Sequence, residues 1–146
     1  MRRLGTDWID LYQVHSFDSL TPAEETLAAL DNLVRSGKVR YIGCSNFAAW
    51  QLAQALGISQ REGISAYIGQ QIQYSLVART AEQELLACGL AMGVGAIIWS
   101  PLAQGFLSGK FRGQVEGETR LELMGALAAY DNCLLYTSPS PRDRTR

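Results

Sequence analysis

The sequence predicts an α/β fold: a parallel sheet forming a partial (β/α)8 TIM barrel, about half of one. Three observations carry this. Short apolar runs alternate with amphipathic, helix-like segments along most of the chain. The apolar runs begin near residues 9, 39, 67 and 96, at separations of about 30, 28 and 29, the size of one βαβ step. Polar residues (Gln13 and His15, Ser45 and Asn46, Gln71 and Gln73, Ser100) fall at or just past the predicted strand C-terminal ends, where barrels carry their functional groups. An open doubly wound sheet shares the alternation but demands a phosphate-binding glycine fingerprint after the first strand. His15-Ser16-Phe17-Asp18 stands there instead. A complete barrel takes roughly 250 residues, so four strand–helix units in 146 are about half.

The first strand is Ile9-Asp10-Leu11-Tyr12-Gln13-Val14-His15, mostly apolar as a strand covered on both faces should be. A helix is predicted to open at Thr21-Pro22-Ala23-Glu24, with Thr21 as N-cap, Pro22 at the first helical position and Glu24 completing a capping box. Its stripe is Leu27, Leu30, Leu33 and Val34, and Gly37 ends it after Arg35. Residues 39–44 read as the second strand. Ser45-Asn46 then suits a cap for a helix carrying Trp50, Ala53 and Leu56 and stopping at Gly57. Residues 67–74 form the third strand, weakened by Gly69. Thr80-Ala81-Glu82-Gln83 is a second capping-box pattern, opening a helix through Leu85, Leu86 and Leu90 to Gly93. Ala96-Ile97-Ile98-Trp99 is the fourth strand, broken by Pro101.

Composition narrows the function classes. Thirteen basic residues against fourteen acidic ones give a net charge of −1 with no basic stripe, which disfavours nucleic acid and acidic membrane surfaces as partners. The most apolar stretch, residues 89–99, is far too short to span a bilayer. No apolar leader follows Met1-Arg2-Arg3-Leu4. The three cysteines are not at metal-ligand spacings, and Cys44 and Cys88 lie in apolar segments, which suggests a reducing, cytoplasmic setting. A single histidine excludes a multi-histidine metal site.

Four segments resemble aldo-keto reductases, in family order and spacing. Leu4-Gly5-Thr6-Asp7-Trp8-Ile9-Asp10-Leu11-Tyr12-Gln13-Val14-His15 is similar to that family's fourth strand. Gly37-Lys38-Val39-Arg40-Tyr41-Ile42-Gly43-Cys44-Ser45-Asn46-Phe47 resembles the fifth strand with its serine-asparagine turn. Gln71-Ile72-Gln73-Tyr74-Ser75-Leu76 resembles the sixth. Trp99-Ser100-Pro101-Leu102-Ala103-Gln104-Gly105-Phe106-Leu107-Ser108-Gly109-Lys110 resembles the seventh strand and the loop over the cofactor. The resemblance covers roughly residues 1–120. It implies an NADP(H)-dependent oxidoreductase in which hydride passes between nicotinamide and a small aldehyde or ketone while a tyrosine protonates the oxygen. Of the family's catalytic aspartate, tyrosine, lysine and histidine, only the histidine has a counterpart here, His15. The other three belong to earlier strands, so the chain alone is expected to be inactive. A non-catalytic, cofactor-binding regulatory subunit of the same family is the alternative.

Each site residue has a physical reading beside a plainer one. His15 shares strand parity with Leu11 and Gln13, and a neutral imidazole at the mouth suits a substrate carbonyl; a structural histidine is the alternative. Ser45, Asn46 and Gln71 offer hydroxyl and amide groups suited to a carboxamide, or a helix cap and a surface amide. Trp99 offers a flat face for a nicotinamide ring, or a core tryptophan. Ser100, Pro101, Leu102 and the glycine-rich run after them suit backbone N–H contacts to a pyrophosphate. The resemblance places Lys110 and Arg120 near cofactor phosphates; a solvated surface charge is the alternative for both. The family's cluster for the adenosine 2′-phosphate follows the eighth strand, so the NADP preference is carried by the resemblance alone.

The resemblance fades after Arg120. Cys133-Leu134-Leu135-Tyr136-Thr137-Ser138-Pro139-Ser140-Pro141-Arg142-Asp143 resembles the conceptual translation of a transposase-type sequencing-library adapter; a disordered Ser/Pro/Arg tail is the compositional alternative. Met1-Arg2-Arg3 matches the end of a helix before the family's fourth strand. The expected organisation is a partial reductase domain over 1–132 and an artefactual tail over 133–146, in a reading frame cut at both ends.

Overall fold

The computed structural model describes residues 3–109. Two compact bodies divide them: residues 3–73 with 80–99, and residues 74–79 with 100–109. The first body holds four strands, β1 (Ile9–Val14), β2 (Val39–Ser45), β3 (Tyr67–Gln73) and β4 (Gly95–Trp99), and three helices, α1 (Ala23–Arg35), α2 (Ala49–Glu62) and α3 (Leu85–Met92). All strand pairings are parallel and the spatial order is β1-β2-β3-β4. Sequential parallel strands alternating with helices, with no reversal of order, make this a partial α/β barrel and not a doubly wound sheet.

The two faces of the sheet differ in chemistry. Ile42, Cys44 and Tyr67 pack with Leu27 and Leu30 of α1 and Leu52, Ala55 and Ile58 of α2 in one buried core. Gln13, Gly43, Gly69 and Ile97 lie on the opposite face. There a Cβ on Gly43 would meet the Gln13 side chain at 3.3 Å and the Gly69 carbonyl at 2.8 Å, and one on Gly69 would meet Ile97. Gly43 pairs with both Gln13 and Gly69 across the ladder, beside an irregularity at Ile42/Gly43, so only glycine fits this close approach. At the opposite end of the sheet from the polar strand ends, Arg40 stacks on Trp8 at 4.6 Å and pairs with Asp10 at 2.9 Å.

Several local expectations are corrected. No capping box opens α1: Thr21 donates its hydroxyl to Asp18 (2.7 Å), which also accepts from the Leu20 N–H, and Pro22 becomes the N-cap. An aspartate three residues upstream competes for the same hydroxyl and holds it in a turn. Ser45 and Asn46 do not cap α2. Ser45 ends β2, Ala48 is the N-cap, and Gln51 accepts from the Ala48 N–H (2.8 Å). That helix passes through Gly57 and ends at Gly63, whose φ of +64° is left-handed. Its buried face is Leu52, Ala55, Ile58 and Ser59, while Trp50 is 61% exposed. Thr80–Glu82 is a short 3-10 turn, so α3 starts only at Leu85, and Leu90 lies outside the core. Each strand differs from expectation by one residue: β1 ends at Val14, β2 runs on to Ser45, β3 ends at Gln73 and β4 begins at Gly95.

In the second body, Ser75 and Ala78 exchange backbone hydrogen bonds at 3.1 and 3.2 Å, and the Ser75 hydroxyl accepts from the Ala78 N–H. Residues 103–108 form a kinked 3-10 segment in which Gln104 and Gly105 have positive φ.

Candidate active site

The C-terminal ends of the strands meet at Asn46. It follows β2 with a φ of +57°, a left-handed conformation that asparagine tolerates better than most side chains. Its backbone N–H donates to the Gln71 carbonyl (3.0 Å), at the end of β3. Its side-chain Nδ2 donates to the His15 carbonyl (3.0 Å), one residue past β1. Its Oδ1 accepts from the Trp99 indole N–H (3.1 Å), at the end of β4. Residues 31 positions before Asn46 and 53 after it are thus joined through one amide. Ser45 is buried and donates its hydroxyl to the Gln71 carbonyl (3.0 Å), adding a second tie between β2 and β3.

His15, Ser45, Asn46, Gln71 and Trp99 are therefore brought together at one end of the sheet, as the sequence predicts, though not all by their side chains. His15 contributes its carbonyl, and its exposed imidazole borders an open groove along β1 and α1 with Thr21, Glu25 and Leu33. Gln71 contributes its carbonyl twice, and its side chain is half-buried. Trp99 is half-buried.

Ser100, Pro101 and Leu102 belong to the second body. Ser100 has a φ of +58° and its carbonyl accepts from the Ala103 N–H (2.9 Å); the Leu102 carbonyl accepts from the N–H groups of Gly105 and Leu107. Lys110 and Arg120, the stretch 121–132 and the tail 133–146 lie outside the described residues.

Two glutamines carry more than their place in the sequence suggests. Gln13 keeps its Oε1 buried with no hydrogen-bond partner among the described residues. Gln70 is 2% exposed and donates to the Leu85 carbonyl (2.8 Å), pinning α3 to the sheet. β3 carries three glutamines, so its sequence does not single out Gln70, and parity does not reveal which helix it reaches. Burial pushes the Cys44 thiol up to about 12, so this cysteine is a packing residue and not a nucleophile. Among the described residues no group of three or more His, Cys, Asp or Glu is placed to hold a metal, and no helix is long and apolar enough to cross a membrane.

Comparison with known proteins decides the family. The model of the aldo/keto reductase family matches residues 1–131. The chain belongs to the aldo/keto reductase family. It is 46% identical over 110 residues to the uncharacterized oxidoreductase YrpG of Bacillus subtilis, covering 75% of this chain and 34% of that protein. It is 38% identical over 130 residues to the aldo-keto reductase dtxS3 of Metarhizium robertsii, covering 89% and 35%. It is 44% identical over 108 residues to the versiconal hemiacetal acetate reductase of Aspergillus parasiticus, covering 74% and 31%. The chain spans about a third of the length of the curated relatives it matches. Its four parallel strands alternating with helices are those of a partial α/β barrel of the family.

Proposed function

We propose that residues 1–132 are a central piece of a cytoplasmic, NADP(H)-dependent aldo-keto reductase acting on small aldehydes or ketones, and that residues 133–146 are foreign to it. The convergence of His15, Asn46, Gln71 and Trp99 at one end of the sheet is the observation that carries this reading. The residues present suit a nicotinamide. Asn46 retains one N–H and one lone pair beyond those it has spent, and the Ser45 hydroxyl oxygen retains acceptor capacity, a donor–acceptor set complementary to a carboxamide. The Trp99 indole offers the adjacent aromatic face. Ser100, Pro101 and Leu102 would serve the pyrophosphate through backbone groups, with Lys110 and Arg120 as its cationic partners. The cofactor supplies the hydride when bound. His15 orients the carbonyl by donating a hydrogen bond to its oxygen.

The isolated 146-residue chain is expected to be inactive, because it contains no counterpart of the family's proton-donating tyrosine or of its lysine and aspartate. The test extends the source DNA past both ends and expresses the full reading frame. NADPH-dependent reduction of small aldehydes is expected. H15A should lower kcat by about tenfold or more, and Trp99→Ala should raise the KM for NADPH. A continuous frame that lacks the tyrosine and lysine, or steady turnover by the 146-residue chain itself, overturns the reading.

A further inference from the structure

We propose that Asn46 is the positioning residue of this strand-end rim, holding the Trp99 indole and the end of β1 at His15 in fixed relation. The clasp stands on geometry alone; its importance to Trp99 as a ring platform rests on the function proposed above.

The argument begins with what the two partners require. The His15 carbonyl only accepts and the Trp99 indole N–H only donates. A single side chain serving both must present one donor and one acceptor on a short stem. Asparagine does this. Aspartate lacks the donor, serine lacks the second heavy atom, and glycine lacks both. The same requirement fixes which way the amide faces, since a flipped amide would set N–H against N–H and oxygen against oxygen.

Backbone conformation argues in the same direction. At a φ of +57° glycine is the least strained residue, so the side chain that stands there is retained against a backbone preference. What the amide adds is connection. Trp99 ends β4, which sits two strands away from β2, and β1 flanks β2 on the other side. Without the amide, the Trp99 side chain has no described tie to β2, and the segment after β1 loses its link to the rim. The indole orientation is then set by packing alone at a half-buried site.

The other two tryptophans supply internal controls. Trp8 donates to Asp10 (3.3 Å) near the opposite sheet end, and Trp50 is 61% exposed on α2. The experiment uses the full 146-residue chain uniformly labelled with 15N, which reports both indole and backbone amides, Trp99 being assigned with W99F. In N46G, which keeps the backbone conformation and removes the amide, the Trp99 indole N–H resonance should move and its hydrogen exchange should accelerate about tenfold. The Trp8 and Trp50 resonances should stay in place. In N46D, which keeps an acceptor and loses the donor, the Trp99 resonance should stay hydrogen-bonded while the Ser16 backbone amide shifts, because the His15 carbonyl next to it is released. An unchanged Trp99 indole in N46G, or equal movement of all three indoles, overturns the clasp. If N46G does not fold, N46D decides alone: a Trp99 indole shifted to the free value, or an unmoved Ser16 amide, overturns it. NADPH added to the wild-type chain separates the two readings. A clasp signature with an indole indifferent to NADPH sustains the clasp and counts against the cofactor reading.

Discussion

Gly89→Ala and Gly57→Ala make the same chemical change in two helices and are expected to act in opposite directions. Alanine is favoured over glycine inside a helix by about 1 kcal/mol. At Gly57, exposed on α2, an added Cβ meets nothing within 4 Å, so that gain should appear nearly whole. At Gly89, buried on α3, the Cβ would lie 2.4 Å from Gln70 Nε2 and 3.0 Å from the Val94 carbonyl. The carbonyl is backbone and cannot step aside cheaply. Gln70 is 2% exposed and spends its Nε2 on the Leu85 carbonyl, so displacing it orphans a buried N–H. That loss is worth about 1–3 kcal/mol, and overpacking a tight contact adds about 1–3 kcal/mol. Set against the helical gain, Gly89→Ala should destabilise by roughly 3 kcal/mol. The two variants should then differ by about 4 kcal/mol, on the order of 10–20 °C in Tm for a domain of this size. Thermal unfolding followed by circular dichroism at matched protein concentration reads this directly. A Gly89→Ala chain as stable as wild type would refute the account of Gln70 as the pin between α3 and the sheet.

Other expectations follow from the same packing. Asp31 accepts from the Ser65 N–H and hydroxyl (2.9 and 2.8 Å) and pairs with Arg35, which hold its carboxyl below the usual range, the Ser65 N–H most of all. Its contribution is therefore present above the unfolded carboxyl value of about 3.9 and lost as the pH falls through the lower folded value. The stability gap between wild type and D31N should be full at neutral pH and shrink in acid; a gap independent of pH would count against this. Cys44, 0% exposed with its thiol pushed up to about 12, should resist a thiol reagent at mildly alkaline pH until the chain unfolds. Mass spectrometry of labelled peptides would show the opposite if the core were open. Leu52→Ala, at a fully buried position of α2, should cost about 2–5 kcal/mol in denaturant unfolding.

The strands were legible because a parallel strand in this fold is written as a short, mostly apolar run, as 39–44 and 96–99 are, Arg40 being the one charge in either. The helix ends were less so. Thr21 has the composition of a cap, but Asp18 three residues earlier takes its hydroxyl, and a pattern scan weighs only the residues that follow. Gly57 looks like a stop, yet it is exposed with nothing nearby, so Leu52, Ala55 and Ile58 carry the helix through it at a small propensity cost. The site residues were named through four motifs together. Their connection was not legible, since the Trp99–Asn46 contact spans 53 residues and depends on sheet order.

Among the described residues, β1 and β4 each pair with a strand on one side only, and Gly95, Ala96 and Ile97 of β4 are solvent-exposed. Unpaired edges of this kind are templates for self-association. Because every pairing in the sheet is parallel, a strand from a second copy that continues the pattern joins β4 of one chain to β1 of the next, a head-to-tail contact. Head-to-tail contacts either return on themselves as a small ring or propagate without limit. Solubility of the purified chain is therefore a matter of curvature as much as of composition.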